Sequence, residues 1–405
     1  MQYILSVYHA LKLFPFRQYL PAIFFLGGFL WDALTIGKQV QPSDLIFLTI
    51  YLVAAAMILW WLAHHAEKSQ EQLNLHLNEG KLLRIMPKKW REATPYFLLQ
   101  FLFGSLLSSL FILYFKSASH AFALVWSLAL AATLVGNEFL EHHYKENTVS
   151  WTMFGFCAIL LLNFLLPSLL GSIHWAWFVI STLSGAGLTH YFYKKSHNQK
   201  SKVSMVFATD LNASADPSLN RSQQINHGST KQHASITPTW IVAGVLMVAY
   251  FCDVIPPVPL VRLDAKVGTG LIKVAGDYRI NIDHYPWWQP WRLFSEEIHI
   301  VAGERVYCVT AVFAPRGLHT MLYHRWQHKQ SKNWVTTSRI GFSLNGGRQA
   351  GFRGYTYKQN LAAGEWRVTV ETEEGHTVSA DDFTVVVSPS IGQNTQLNPR
   401  KQVSI

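Results

Sequence analysis

Seven apolar segments crowd the first 255 residues of the chain, and from Pro256 onward the sequence turns into short, tryptophan-rich runs of β character. Such a chain must satisfy lipid before the break and water after it. The runs Phe16 to Ile36, Leu45 to Ala63, Tyr96 to Phe115, Ala121 to Leu140, Trp151 to Leu166, Ile173 to Tyr193 and Trp240 to Ile255 are nearly free of Lys, Arg, Asp and Glu. About 20 such residues, coiled as a helix that satisfies its own backbone, span the hydrocarbon of a bilayer. The fifth and seventh runs are short, but flanking residues extend both. Only 14% of the 405 residues are charged, well below the usual quarter or so for soluble proteins, and the deficit lies in these runs. The expected architecture is an α-helical transmembrane bundle of about seven helices followed by an all-β domain.

Orientation follows from the basic residues of the short loops. Lys68, Lys81, Arg84, Lys88, Lys89 and Arg91 lie between the second and third runs, and Lys194, Lys195, Lys200 and Lys202 follow the sixth. Lys12 and Arg17 belong to the amino-terminal tail, whereas the alternate loops hold only Lys38 and Lys116. The amino terminus is therefore expected in the cytoplasm, and an odd number of crossings delivers the β domain to the other side, the periplasm of a Gram-negative cell. No small-x-small cleavage pattern precedes Trp31-Asp32, so the first run reads as an uncleaved anchor. The net charge of +10 is largely this topological signal and needs no nucleic acid as partner. The basic stretch Lys81 to Arg91 also suits anionic lipid. Cys157, Cys252 and Cys308 stand too far apart for a disulfide framework or a Cys-x-x-Cys metal site.

The chain divides into a six-helix bundle over 1–193, a flexible cytoplasmic linker over 194–238, a seventh helix over 239–257, an extracytoplasmic β domain over 258–388 and a loose tail over 389–405. The linker is rich in Ser, Asn, Gln, Lys and His and cannot bury enough apolar surface to order itself. Glu67 to Met86 interleaves Leu with charge, as a helix lying on the membrane surface would. Ser105, Ser108, Ser109, Gly185 and Gly187 allow close helix contact, and Asn163 suits an interhelical hydrogen bond. In the β domain, Glu304 to Phe313, His319 to His328, Asn333 to Leu344, Glu365 to Glu371 and Val378 to Val387 read as strands separated by Gly-rich turns. Such a series indicates an immunoglobulin-like sandwich, although the Cys-Trp-Cys core is absent. Only the seventh helix and the linker join the halves, so loose coupling is expected.

Three constellations are candidates for chemistry. On a strand, His324, Trp326 and His328 share one face; the imidazoles suit a metal and the indole a sugar ring, unless Trp326 fills the core. In Asn345 to Tyr355, glycines permit close approach of a ligand, while Arg348 and Arg353 offer forks for carboxylate or phosphate beside Tyr355. A hairpin whose arginines pair with local acids is the alternative. Glu138, Glu141, His142 and His143 end the fourth apolar run and, with His64, His65 and His190, fall at cytoplasmic helix ends, where they are weak candidates for a metal or proton site. Polar side chains also simply mark the membrane interface there. No nucleophile elbow, HExxH, Walker sequence or catalytic carboxylate pair appears, and no cofactor is implied.

The carboxy-terminal third resembles a domain of unknown function that ends many bacterial inner-membrane proteins. The likeness is carried by Ala314-Pro315-Arg316-Gly317-Leu318, His324-x-Trp326, Gly346-Gly347-Arg348 with Gly351-Phe352-Arg353, and Leu361-x-x-Gly364-x-Trp366-Arg367-Val368-x-Val370-Glu371 with Gly375 and Phe383-Thr384-Val385. It covers roughly residues 260–388, and the preceding segment is similar to the multi-helix anchors found with such domains. The resemblance implies a cytoplasmic-membrane protein of uncharacterised role and supplies no catalytic residues. The expected function is non-enzymatic: a periplasmic β domain that binds an envelope glycan, an anionic polymer or a protein partner. The rival is a membrane enzyme or transporter using the His/Glu helix ends.

Overall fold

A computed structural model of the chain describes residues 29–30, 32–34, 36, 42–71, 88–118, 120–140, 143–214, 235–274, 277–283, 296–348, 350–388 and 400–405. Its helices are α1 (Pro42–Glu71), α2 (Lys88–Ser117), α3 (Ala121–Phe139), a 3-10 turn (His143–Lys145), α4 (Asn147–Leu170), α5 (Trp175–Ser214) and α6 (Thr237–Phe251). Among the described residues, four segments, Pro42–Ala63, Thr94–Ser117, Phe122–Phe139 and Asn147–Leu170, are long and apolar enough to cross a membrane, and α6 is a shorter apolar helix. The first apolar run lies largely outside the described residues; within it, Phe29 packs on Phe111 of α2 at 5.9 Å. The apolar half of α5 carries Ser181 and Thr189, whose hydroxyls donate to the carbonyls of Trp177 (2.6 Å) and Gly185 (2.8 Å) one turn back. Such back-bonding lets hydroxyls sit in an apolar bundle.

Helix α4 is the axis of the bundle, with most of its residues buried. It meets its neighbours where side chains are smallest. A Cβ on Gly155 would lie 2.5 Å from Thr239 of α6, and one on Gly185 of α5 would lie 2.9 Å from the Ile159 backbone of α4. Gly187, expected to serve in the same way, faces open space. A polar lock joins α2, α3 and the 3-10 turn: the Tyr144 hydroxyl donates to Asn137 Oδ1, and Asn137 Nδ2 donates to the Gln100 carbonyl at 3.3 Å. Helix α5 runs on to Ser214, well into the stretch read as linker. Once packing has nucleated a helix, Lys, Gln, Ala and Met extend it at little cost.

Among the described residues, the β domain has ten strands: β1 (Val261–Val274), β2 (Asp277–Asp283), β3 (Glu296–Val301), β4 (Arg305–Phe313), β5 (His319–Gln330), β6 (Asn333–Asn345), β7 (Phe352–Gln359), β8 (Gly364–Thr372), β9 (Thr377–Ser388) and β10 (Arg400–Ser404). They form two five-stranded sheets, β10-β2-β1-β4-β7 and β3-β9-β8-β5-β6. All the ladders are antiparallel except β3 with β9. Alternate residues of each sheet turn inward, so Val267, Val306 and Cys308 pack against Trp326, Trp366 and Phe383. On the other face of the first sheet, Val309, Ala311 and Ile280 bury Ile405. Residues 400–405 are thus part of the fold, where the sequence suggested a loose tail. The order comes from Arg400, which donates to Glu304 Oε1 and to the His299 carbonyl, each at 2.7 Å. Residues 389–399 of that tail lie outside the described residues.

The two halves are docked, contrary to the loose coupling expected. The His319 N–H donates to the Gly171 carbonyl at 2.8 Å. The approach is so close that a Cβ on Gly171 would stand 2.5 Å from the Gly317 carbonyl oxygen. Glu374, in the β8–β9 turn, accepts the Trp175 N–H at 2.7 Å and faces His174 Nε2 at 3.2 Å. Asp253, just past α6, accepts the Thr377 N–H at 3.1 Å and lies 3.4 Å from His376 Nδ1, while His120 Nε2 reaches its carbonyl at 3.0 Å. The His376 ring rests 4.3 Å from Tyr250, itself stacked on Phe178 at 3.9 Å. Every connection near residues 117–120, 171–175 and 252–260 gathers under the β domain, while the turn at 143–145 lies at the other end of α3 and α4. The sequence could not show this because each contact between the two halves joins residues more than a hundred positions apart.

Candidate functional site

The residues singled out in β5 divide between interior and rim. His324 and Trp326 are fully buried between the sheets. His324 Nε2 lies 3.0 Å from Thr310 Oγ1 and Nδ1 lies 2.9 Å from Thr356 Oγ1, while Trp326 Nε1 donates to Thr356 Oγ1 at 3.0 Å. A neutral imidazole offers one donor and one acceptor, which these two hydroxyls match. Burial pushes the His324 pKa down from 6.5 to about 3, so the ring is uncharged. His328, two positions along, leaves the core and lies 4.6 Å from the Trp366 ring. The shared face anticipated from the spacing is real, and it points into the domain.

The second constellation separates as well. The Arg353 Nε donates to the Ile405 carbonyl at 2.6 Å, and its Nη2 meets Asp277 at 3.1 Å, so its fork holds the chain's own strands. Tyr355 is 44% exposed and packs against Tyr278 at 5.4 Å. Arg348 is exposed, with its guanidinium 5.7 Å from the Phe352 ring. In the bundle, Glu138 and His143 flank the end of α3; Glu141 and His142 lie outside the described residues. Among the described residues, no group of three His, Cys, Asp or Glu is arranged to hold a metal ion.

What the fold does assemble is a cleft of about 650 Å³ at the junction. One wall is the α4–α5 turn with Ser172, His174 and Trp177; the floor is the start of β5 and the end of β6 with His319, Ser343 and Asn345. Leu344, Ile173 and Met321 supply apolar surface, and Glu373 closes one end. The polar groups are held in place: Trp177 Nε1 donates to Ser172 Oγ at 2.9 Å, His174 Nδ1 accepts the Ala176 N–H at 3.1 Å, and His319 Nδ1 lies 2.8 Å from Asn345 Oδ1. Among the described residues, no Lys or Arg lines the cleft. Sequence reasoning missed these residues because Asn345 read as turn punctuation and His174-Trp175-Ala176-Trp177 as the start of the sixth apolar run. The indole and imidazole beside the α4–α5 connection were the available signal; that they line one cleft with Asn345 was not.

A family model described as "Protein of unknown function (DUF2914)" matches residues 319–385, the stretch from β5 into β9. No curated protein matches the chain. Among solved structures, a β-glucosidase from Listeria innocua in complex with gluconolactone is 10% identical over 30% of this chain and 16% of its own, with a TM-score of 0.16. The PmoD soluble domain from Methylocystis sp. is 16% identical over 29% of this chain and 98% of its own, with a TM-score of 0.16. The alkylpurine DNA glycosylase AlkC of Pseudomonas fluorescens, bound to DNA containing an abasic site analog, is 12% identical over 85% of this chain and 98% of its own, with a TM-score of 0.19. Likenesses at these scores carry no argument. The chain therefore combines membrane-length apolar helices with a two-sheet domain that contains a family domain of unknown function.

Proposed function

We propose that this is a non-enzymatic bacterial inner-membrane protein, with a seven-crossing anchor and an immunoglobulin-like β domain on the periplasmic face, and that it binds an envelope glycan in the junction cleft. One observation carries this reading: the cleft joins an indole, two imidazoles, an amide, hydroxyls and the Glu373 carboxylate, with no Lys or Arg among the described residues that line it. Mixed donors and acceptors beside an aromatic surface suit a neutral polyhydroxylated ligand. An anionic polymer is less favoured, since the fork of Arg353 is occupied and no fixed positive charge lines the cleft. The opposed distribution of basic residues between alternate loops supports the orientation.

Titrating detergent-purified protein with chito-oligosaccharides, neutral glucan oligosaccharides and polyphosphate tests the reading. The glycans are expected to bind, and His319→Ala combined with Asn345→Ala to weaken them about tenfold, a loss of roughly 1.4 kcal/mol. Affinity unchanged in that variant, or no glycan binding to the wild type, sinks the proposal; capture of a protein partner through the same cleft would replace it. Topology is tested separately by reporter fusions at Gln199 and Pro259, which should report opposite sides of the membrane.

A further inference from the structure

We propose that Arg316 and Arg348 form a binding site for the phosphodiester of an acidic phospholipid in the leaflet beneath the β domain. The two arginines come together because two loops interlock. The Gly346 N–H donates to the Leu318 carbonyl at 2.8 Å and the Gly347 N–H to the Ala314 carbonyl at 3.0 Å. A Cβ on Gly346 would stand 1.9 Å from the Pro315 carbonyl oxygen, and one on Gly347 would lie 3.4 Å from the Arg316 Cα. Gly317 and Gly347 hold φ of 86° and 98°, which side chains rarely adopt. The stem of Arg316 therefore lies against the residue that precedes Arg348, and both arginines are exposed.

Their charge is unspent. Arg262, Arg325, Arg339, Arg353, Arg367 and Arg400 each face a carboxylate. Neither Arg316 nor Arg348 forms an ion pair among the described residues. Position supplies the ligand. Gly317 abuts Gly171, the cap of α4, and the residues just before that cap, Leu169 and Leu170, are 74% and 51% exposed, a surface that belongs in lipid. The pair thus stands one backbone contact beyond the end of a membrane-length helix. The headgroup layer occupies that depth, roughly 5–8 Å on each side of the hydrocarbon. Guanidinium forks match phosphate oxygens, and an acidic lipid brings no ammonium to compete. The inference stands on the docking of the two halves and is independent of the junction cleft.

Full-length protein is placed in nanodiscs of equal phosphatidylcholine and phosphatidylglycerol, extracted into mild detergent, and its retained lipid measured by mass spectrometry. Phosphatidylglycerol is expected at least threefold above its bulk share with wild type, and the double variant Arg316→Gln, Arg348→Gln is expected to lose that enrichment. The double Lys variant, which keeps the charge without the fork and controls for misfolding, should retain part of it. Bulk-ratio lipid around the wild type, or undiminished enrichment in the Gln variant, overturns the proposal. So does binding of inorganic phosphate at the pair without lipid enrichment, which would make it a site for a soluble anion.

Discussion

At the scale of single residues, the β domain holds its polar groups in two ways. Inside, His324 bridges Thr310 and Thr356 as a neutral ring. Its folded-state pKa of about 3 lies below the ordinary 6.5, so the unfolded chain takes up the proton first. The stability contributed by the neutral ring is complete above pH ~6.5 and falls by up to roughly 1.4 kcal/mol per pH unit on the way to pH ~3. Denaturation measured across that window should show the slope in the wild type and a flatter one in His324→Gln. On the outer face, Glu371 is almost fully buried between Arg325 (3.0 Å) and Arg339 (2.6 Å), and Arg339 lies 3.8 Å from the centre of the Tyr323 ring. Glu371→Ala removes the shared carboxylate from two guanidinium groups that are about a third exposed, one of which keeps the Thr372 and Glu373 carbonyls, and should cost about 1–2 kcal/mol. Lys329→Ala, at a half-exposed pair with Glu365, should cost less than about 1 kcal/mol in the same melt. Period-two alternation placed His324, Trp326 and His328 together correctly. It gave no means of telling inside from outside, because Tyr323 and Arg325 on the opposite face are as mixed in character.

At the scale of elements, close packing is selective. Gly185→Ala would drive a methyl into the Ile159 backbone, whereas Gly187→Ala meets nothing within 4 Å. The first should lower the melting temperature of the detergent-solubilised protein. The second should leave it unchanged or raise stability by about 0.5–1 kcal/mol through helix propensity. Strands β4, β5, β6, β8 and β9 were legible as β-branched and aromatic runs between turns. Strand β1 was hidden by Lys, Asp and Gly, β7 by the glycine-dense segment before it, and β10 by its polarity, since Arg400 and Gln402 look like tail residues until Glu304 is seen beside Arg400. Deleting residues 400–405 uncovers Ile280, Val309 and Ala311 and should destabilise the β domain by about 2 kcal/mol or more, read by thermal melting.

At the scale of the molecule, composition separated apolar helices from a β-rich carboxy-terminal part, but docking depended on pairs that no local pattern links. Asp253 shows how those pairs work. Burial pushes its carboxyl up, and the hydrogen bonds from His376 and Thr377, with His120 nearby, more than offset this and hold its pKa below the usual value. The carboxylate therefore supports docking above the ordinary carboxylate pKa, and the support is lost as pH falls through the depressed one. Asp253→Asn should raise hydrogen exchange at Thr377 severalfold at neutral pH while leaving strands β4 and β8 protected; unchanged exchange would mean the contact is passive.

The meeting of Gly171 with Gly317 is backbone against backbone, with no side chain between to bend or re-pack. In mechanical terms it is a bearing rather than a cushion. A force applied to the β domain would load the α4–α5 turn and the end of α6 together, so it would reach the helix axis of the bundle instead of being absorbed in a tether.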